Sequence, residues 1–189
     1  MARLVETAGS SSAWAGAILL GWSTGARLSD CANLRWSNLD TEHGVVVFKQ
    51  RKTRAQTIVG LHPDFINWLT LQSVPEDPQG FVFPKLAGKS NGGAHGLSIA
   101  FNQLVTAAGI QNRLIRERNP GKSRSLRGLS FHSLRHTAAT QVFNSSVHKE
   151  VTRRVTGHAD ERILDRYLHV DLEAIRAAAQ LIPRLPKAQ

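Results

Sequence analysis

The stretch Phe131-His132-Ser133-Leu134-Arg135-His136-Thr137 is followed by Gly157-His158 and, nine residues beyond that histidine, by Tyr167-Leu168-His169. Tyr167 is the only tyrosine in the chain. One tyrosine alone carries no chemistry. With a His-x-x-Arg, a later histidine and a distant arginine it becomes a candidate nucleophile toward a phosphodiester. A helix over 132–144 sets His132 and Arg135, three apart, on one face. Cleaving a phosphodiester without a metal needs a nucleophile, cations on the non-bridging oxygens and a proton donor for the departing oxygen. The phenol's reference pKa of ~10 means its proton must leave as it attacks, so a base is needed beside it. Arginine suits the phosphate because its planar fork donates two parallel hydrogen bonds and keeps its charge.

The composition points the same way. Lys and Arg outnumber Asp and Glu by 24 to 14 in 189 residues, a formal charge of +10, which favours a polyanionic partner, most often nucleic acid. The apolar fraction, 41%, is enough for one domain with a substantial core. The single cysteine, Cys31, rules out a disulfide within the chain and fits a reducing compartment. No apolar run approaches the ~20 residues that cross a bilayer, and the first residues do not read as a signal peptide. The expectation is a cytoplasmic protein working at the nucleoid, with no membrane partner.

Outward from the opening stretch, periodicity sketches the elements. Residues 11–22 are small and apolar, as in a buried helix, and Thr24-Gly25 ends it; Leu28, Cys31 and Leu34 then mark a short helix from Arg27 to Leu34. Residues 44–49 and 57–61 read as two strands joined by the basic hairpin Gln50-Arg51-Lys52-Thr53-Arg54, and Phe81-Val82-Phe83 as a third strand. Pro63 opens a helix reaching Leu71, and a helix at 97–108 is closed by Gly109. Residues 112–128, with Arg113, Arg116, Arg118, Lys122, Arg124 and Arg127 around Pro120-Gly121, read as a basic loop. Helices are expected at 132–144, 148–155, 160–168 and 171–182, giving a mainly helical α+β domain with one small sheet. Along the last of these, Leu172, Ile175, Ala179 and Ile182 form an apolar stripe, suited to packing on a neighbouring protomer or back on its own domain.

In order and spacing, these segments resemble the catalytic domain of the tyrosine recombinases (phage integrase family). The matching stretches are Thr24-Gly25-Ala26-Arg27-Leu28-Ser29-Asp30, Leu34-Arg35-Trp36, Arg51-Lys52-Thr53, Phe131 to Thr137, Gly157-His158 and Tyr167-Leu168-His169. The resemblance implies that family's fold, mainly helical with a small antiparallel three-stranded sheet, over residues 1–189. It also implies roles. Arg27 and Arg135 would bind the scissile phosphate, Lys52 would protonate the departing 5′-oxygen, and His132 would accept the tyrosine proton. His158 would hydrogen-bond the phosphate, Asp30 would prop the site, and Tyr167 would form a 3′-phosphotyrosyl bond, with no metal, ATP or other cofactor. Double-stranded DNA would be the partner, and a homotetramer on paired sites the working assembly. Arg51, Arg54, Arg113, Arg116, Arg118, Lys122 and Arg124 are the candidate DNA contacts. Relatives also carry an N-terminal helical DNA-gripping domain, of which no counterpart is read here, and Thr156 stands where many have Leu.

Plainer readings exist for most of these residues. Arg27 and Asp30 could form an ordinary surface ion pair, and Lys49 rivals Lys52 on the same hairpin. His132 and His136 have the spacing of half a zinc site, without a Glu between them or a Cys nearby. His43, His62, His95 and His148 read as surface residues, and Trp36 and Trp68 as core rather than stacking platforms. Two other functions share the pattern: a type IB topoisomerase-like nicking-closing enzyme, and a catalytically silent DNA binder. A silent binder could lose Tyr167 or Lys52 freely, yet every expected catalytic position is filled.

Overall fold

In a computed structural model, residues 1–49, 56–93, 95–116, 126–144 and 172–185 are described. The organising element is α2 (Ala13–Thr24), apolar on all sides and buried from Ala15 to Thr24, as expected of a helix with neighbours all round. The Ser12 side chain caps it by accepting from the Ala15 N–H. Around it pack α1 (Ala2–Ala8), α3 (Leu28–Ala32), α4 (Pro63–Leu69) and α6 (Phe131–Asn144), while α5 (Leu97–Ala107) lies against α1. At Gly21 a Cβ would stand 2.4 Å from the Phe131 ring. Only glycine lets α6 approach this closely, because interiors have no slack for an extra methyl.

The expected hairpin is present as β2 (Val45–Lys49) and β3 (Gln56–Gly60), antiparallel with Val46 opposite Val59, both buried. The third strand is not Phe81-Val82-Phe83. It is β1 (Leu39–Asp40), paired to β2 with Leu39 opposite Val46, two residues long and so beyond the reach of periodicity. Phe81 makes one isolated antiparallel bridge to Arg35, and Val82 and Phe83 go to the core.

Other expectations are corrected. Residues 112–128 are not merely a loop: β4 (Leu114–Arg116) and β5 (Leu126–Arg127) pair antiparallel with an irregularity between Leu114 and Arg116. α1 was not foreseen, its one buried residue being Leu4. α4 ends at Leu69, two residues early. His62 is no surface residue; it is 1% exposed, and its ring meets the edge of Trp22 at 5.2 Å and bonds the Ile182 carbonyl at 2.8 Å. His43 and His95 are exposed, Trp68 is in the core and Trp36 is half-buried against it.

The last described helix, α7 (Leu172–Gln180), folds back onto β3, with Ala178, Ala179 and Ile182 buried. Of the two fates for the apolar stripe, packing on its own domain is the one observed. The expected helices at 148–155 and 160–168, and His148, lie outside the described residues. No described helix is long and apolar enough to cross a membrane.

Candidate active site

The site is built on the turn between α2 and α3. Thr24 Oγ1 donates to the Leu20 carbonyl at 2.6 Å and accepts from the Ala26 N–H at 3.1 Å, which winds the chain tightly out of α2. Gly25 follows in the left-handed region, φ 65°, where a side chain would be strained. The turn delivers Arg27 in extended backbone as the residue capping α3. One helical turn later stands Asp30, its side chain 1% exposed, with Oδ2 3.9 Å from Arg27 Nη1.

From the other side α6 brings Arg135, 8% exposed. Its Nη1 donates to the Gly25 carbonyl at 2.9 Å, so the turn that orients Arg27 also anchors Arg135. Burial lowers the Arg135 pKa, and the Arg27 charge lowers it further, while Asp30 opposes the shift. Two guanidiniums thus share one buried carboxylate. Breaking such a set leaves a buried charge uncompensated, and its surplus positive charge suits an anion. The same carboxylate, after burial itself, raises the Cys31 thiol well above its ordinary value, which makes that cysteine unreactive packing.

His132, one turn before Arg135, is exposed, with its ring edge-on to His136 at 4.8 Å. Partial burial lowers its pKa first, then the charges of His136, Arg135 and Arg27. The imidazole is therefore held neutral, the form that can take a proton. The cations that do this also oppose a metal dication on the His132–His136 pair. Among the described residues no three His, Cys, Asp or Glu side chains are grouped to hold a metal.

The structure thus brings together Arg27, Asp30, His132 and Arg135. Arg113 is exposed at the foot of β4 and Arg116 ends that strand. Lys49 closes β2; Arg51, Lys52 and Arg54 lie outside the described residues. So do Arg118, Lys122, Arg124, Thr156, His158 and Tyr167. Sequence reasoning missed the Gly25 carbonyl as the acceptor for Arg135. The Thr24-Gly25 pair marked the turn, but nothing local shows which side chain comes to it from more than a hundred residues away.

The tyrosine recombinase XerC of Pseudomonas fluorescens (strain Pf-5) is 29% identical over 159 residues, 82% of this chain and 48% of that one. XerC of Pseudomonas putida (strain W619) is 30% identical over the same length and shares. This chain therefore spans about half the length of the curated relatives it matches. Among solved structures, the integrase of mycobacterium phage Brujita shares the fold with a TM-score of 0.61 at 14% identity, over 98% of this chain and 57% of that one. A lambda integrase dimer bound to a COC′ core site gives 0.56 at 20% identity, over 87% and 55%. At these identities the likeness is one of fold. Since residues 2–173, nearly the whole chain, match the model of the phage integrase family, the protein belongs to that family.

Proposed function

We propose that this chain carries the strand-cleaving and rejoining chemistry of a site-specific DNA recombinase, working through a covalent link between Tyr167 and a DNA 3′-phosphate. The observation that carries this reading is the Arg27–Asp30–Arg135 cluster with His132, whose surroundings favour the neutral imidazole, beside it. Two buttressed guanidiniums are suited to bind the non-bridging oxygens of one phosphate and to meet the charge that grows there during attack. The Tyr167 oxygen attacks phosphorus as His132 takes the phenol proton, and the bond to the 5′-oxygen breaks. Lys52 protonates that oxygen and His158 hydrogen-bonds the phosphate. The phosphotyrosyl ester keeps the energy of the cleaved bond, so attack by a 5′-hydroxyl of another strand restores a phosphodiester without ATP or a metal. Duplex DNA is the substrate, a homotetramer on paired sites the assembly, and the cytoplasm the compartment. The DNA-bound state of the related lambda integrase and the net charge of +10 support the choice of partner.

A random-sequence duplex library tests this without a defined target site. The 189-residue protein is incubated with the library in EDTA, and DNA joined covalently to protein is recovered under denaturing conditions and sequenced. The wild type should yield adducts enriched in one motif, and Tyr167→Phe none, while duplex binding persists because phosphate contacts dominate affinity. Adducts surviving in Tyr167→Phe, or lost in EDTA, overturn the mechanism. A substrate with 5′-bridging sulfur then separates Lys52 from Lys49: a thiolate, whose conjugate acid has a pKa of roughly 8.5, leaves without help. Lys52→Ala should fail on ordinary DNA and recover on the sulfur substrate, whereas Lys49→Ala should show neither effect.

A further inference from the structure

Between α5 and α6 the chain runs out through β4 and back through β5, and one side chain joins all three parts. Asn112 Nδ2 donates to Asn102 Oδ1 on α5 at 3.0 Å and to the Leu129 carbonyl at 2.9 Å, and its Oδ1 accepts from the Leu129 N–H at 2.8 Å. The amide grips both main-chain groups of one residue, as a paired residue on a neighbouring strand would. Only an amide can do this: Leu129 presents a donor and an acceptor, which also determines which end of the side chain is oxygen. The main chain adds one more bond, from the Gly128 N–H to the Arg113 carbonyl at 2.9 Å, and the Arg127 side chain donates from Nη1 to the Asn112 carbonyl at 3.4 Å.

Just beyond Leu129 the catalytic helix begins. The Ser130 N–H donates to Ser133 Oγ and the Ser133 N–H to the Ser130 carbonyl, closing the first turn around His132. On α5, next to Asn102, the Phe101 ring stands edge-on to Phe131 at 5.3 Å. The start of α6 is therefore held to α5 at two places, one aromatic and buried, the other the Asn102–Asn112–Leu129 chain of hydrogen bonds. The second passes through the foot of the basic hairpin.

We propose that Asn112 is a positioning residue that couples the β4–β5 hairpin to the first turn of α6, so that a duplex bound to the hairpin tightens the turn bearing His132. This rests on the DNA-processing role proposed above, and it goes further in assigning the hairpin a part in assembling the site rather than in affinity alone. A side chain that only stabilised the fold would change local opening equally with and without DNA; a coupling residue changes the response to DNA.

The experiment is hydrogen exchange on the full 189-residue chain, with and without a random-sequence 30-base-pair duplex (roughly three helical turns) at low salt. In the wild type the duplex should slow exchange at 113–116 and 126–129, and also in the first turn of α6, by roughly tenfold for amides that exchange through local opening. In Asn112→Ala the hairpin should still be protected by DNA, while slowing in the first turn of α6 falls to about twofold or less. Asn112→Asp keeps the size and the acceptor but loses both donors and should behave like Asn112→Ala. It serves as the second variant should the alanine protein open globally. DNA protection of the α6 turn that persists at full strength in Asn112→Asp overturns the coupling and leaves the recombinase reading intact. Absence of protection at both segments in the wild type overturns the DNA-binding role and the coupling with it.

Discussion

Two helices from late in the chain are fastened to the same central body by different means. Where α6 meets α2, the Phe131 ring fills the notch left by Gly21, and a buried guanidinium reaches the Gly25 carbonyl within the field of the Asp30 carboxylate. Where α7 and the residues after it meet the sheet and α4, two alanines and Ile182 are buried, and polar bonds do much of the holding. His62 bonds the Ile182 carbonyl, the Leu185 N–H donates to Asp64 Oδ2 at 2.9 Å, and Arg176 donates to the Glu42 and His43 carbonyls in the turn before β2. Close packing around a charge makes a seam that cannot shift without cost, as the phosphate-binding role proposed for it would require. A seam of small residues and polar bonds can open locally while the body stays folded.

The first way to break this contrast is at Arg135. Arg135→Ala should destabilise the protein by about 3 kcal/mol in urea unfolding, since it leaves Asp30 buried with less compensation. Arg135→Lys should recover part of the stability but little of the cleavage, because an ammonium lacks the planar fork. A loss below about 0.5 kcal/mol for the alanine variant, the size seen for exposed pairs, would return the cluster to ordinary surface charge. Next comes Gly21→Leu, whose side chain must enter the Phe131 ring. Overpacking here should cost about 2 kcal/mol and lower cleavage as well, because α6 carries His132 and Arg135 together. Unchanged unfolding would mean that α6 does not pack on α2 this closely.

How far each seam was readable from sequence follows from the same contrast. Helix α2, the β2–β3 hairpin and the start of α6 announce themselves through local periodicity and caps, and Arg27, Asp30, His132 and Arg135 through their motifs. What sequence hid is what distance makes. His62 reads as a surface residue because nothing near it in sequence signals burial, yet its burial comes from Trp22 and from Ile182, 120 positions away. The β4–β5 pairing was masked by charge density and Pro120-Gly121, and β1 by its length of two residues. The C-terminal stripe showed that α7 must be covered but not by what, since a stripe specifies an apolar partner and no address.

The second seam is tested more gently. Asp64→Ala with Arg176→Ala should leave the urea midpoint of the body nearly unchanged while speeding hydrogen exchange over 172–185 by about tenfold, the signature of local rather than global opening. Equal acceleration in α2 would show that tail and body unfold together and would abolish the distinction between the seams.

The smallest effect concerns His132, where the first seam meets solvent. Partial burial first, then His136, Arg135 and Arg27, hold its pKa below the ordinary value. In the window between that lowered value and about 6.5, the unfolded chain binds the proton more readily than the folded one. His132 therefore opposes folding as pH drops through the window and has no such effect above it, so its contribution makes stability rise with pH there. In the proposed chemistry the same shift would extend the neutral, proton-accepting form to lower pH. NMR titration of the imidazole should give a midpoint below about 6.5 in the wild type. His136→Ala should raise it modestly and Arg27→Ala by less, neither restoring the ordinary value, because burial is the largest cause. A wild-type midpoint at or above the ordinary value would mean that the α2–α6 seam does not press its cations against this histidine, and the proton acceptor would have to be sought elsewhere.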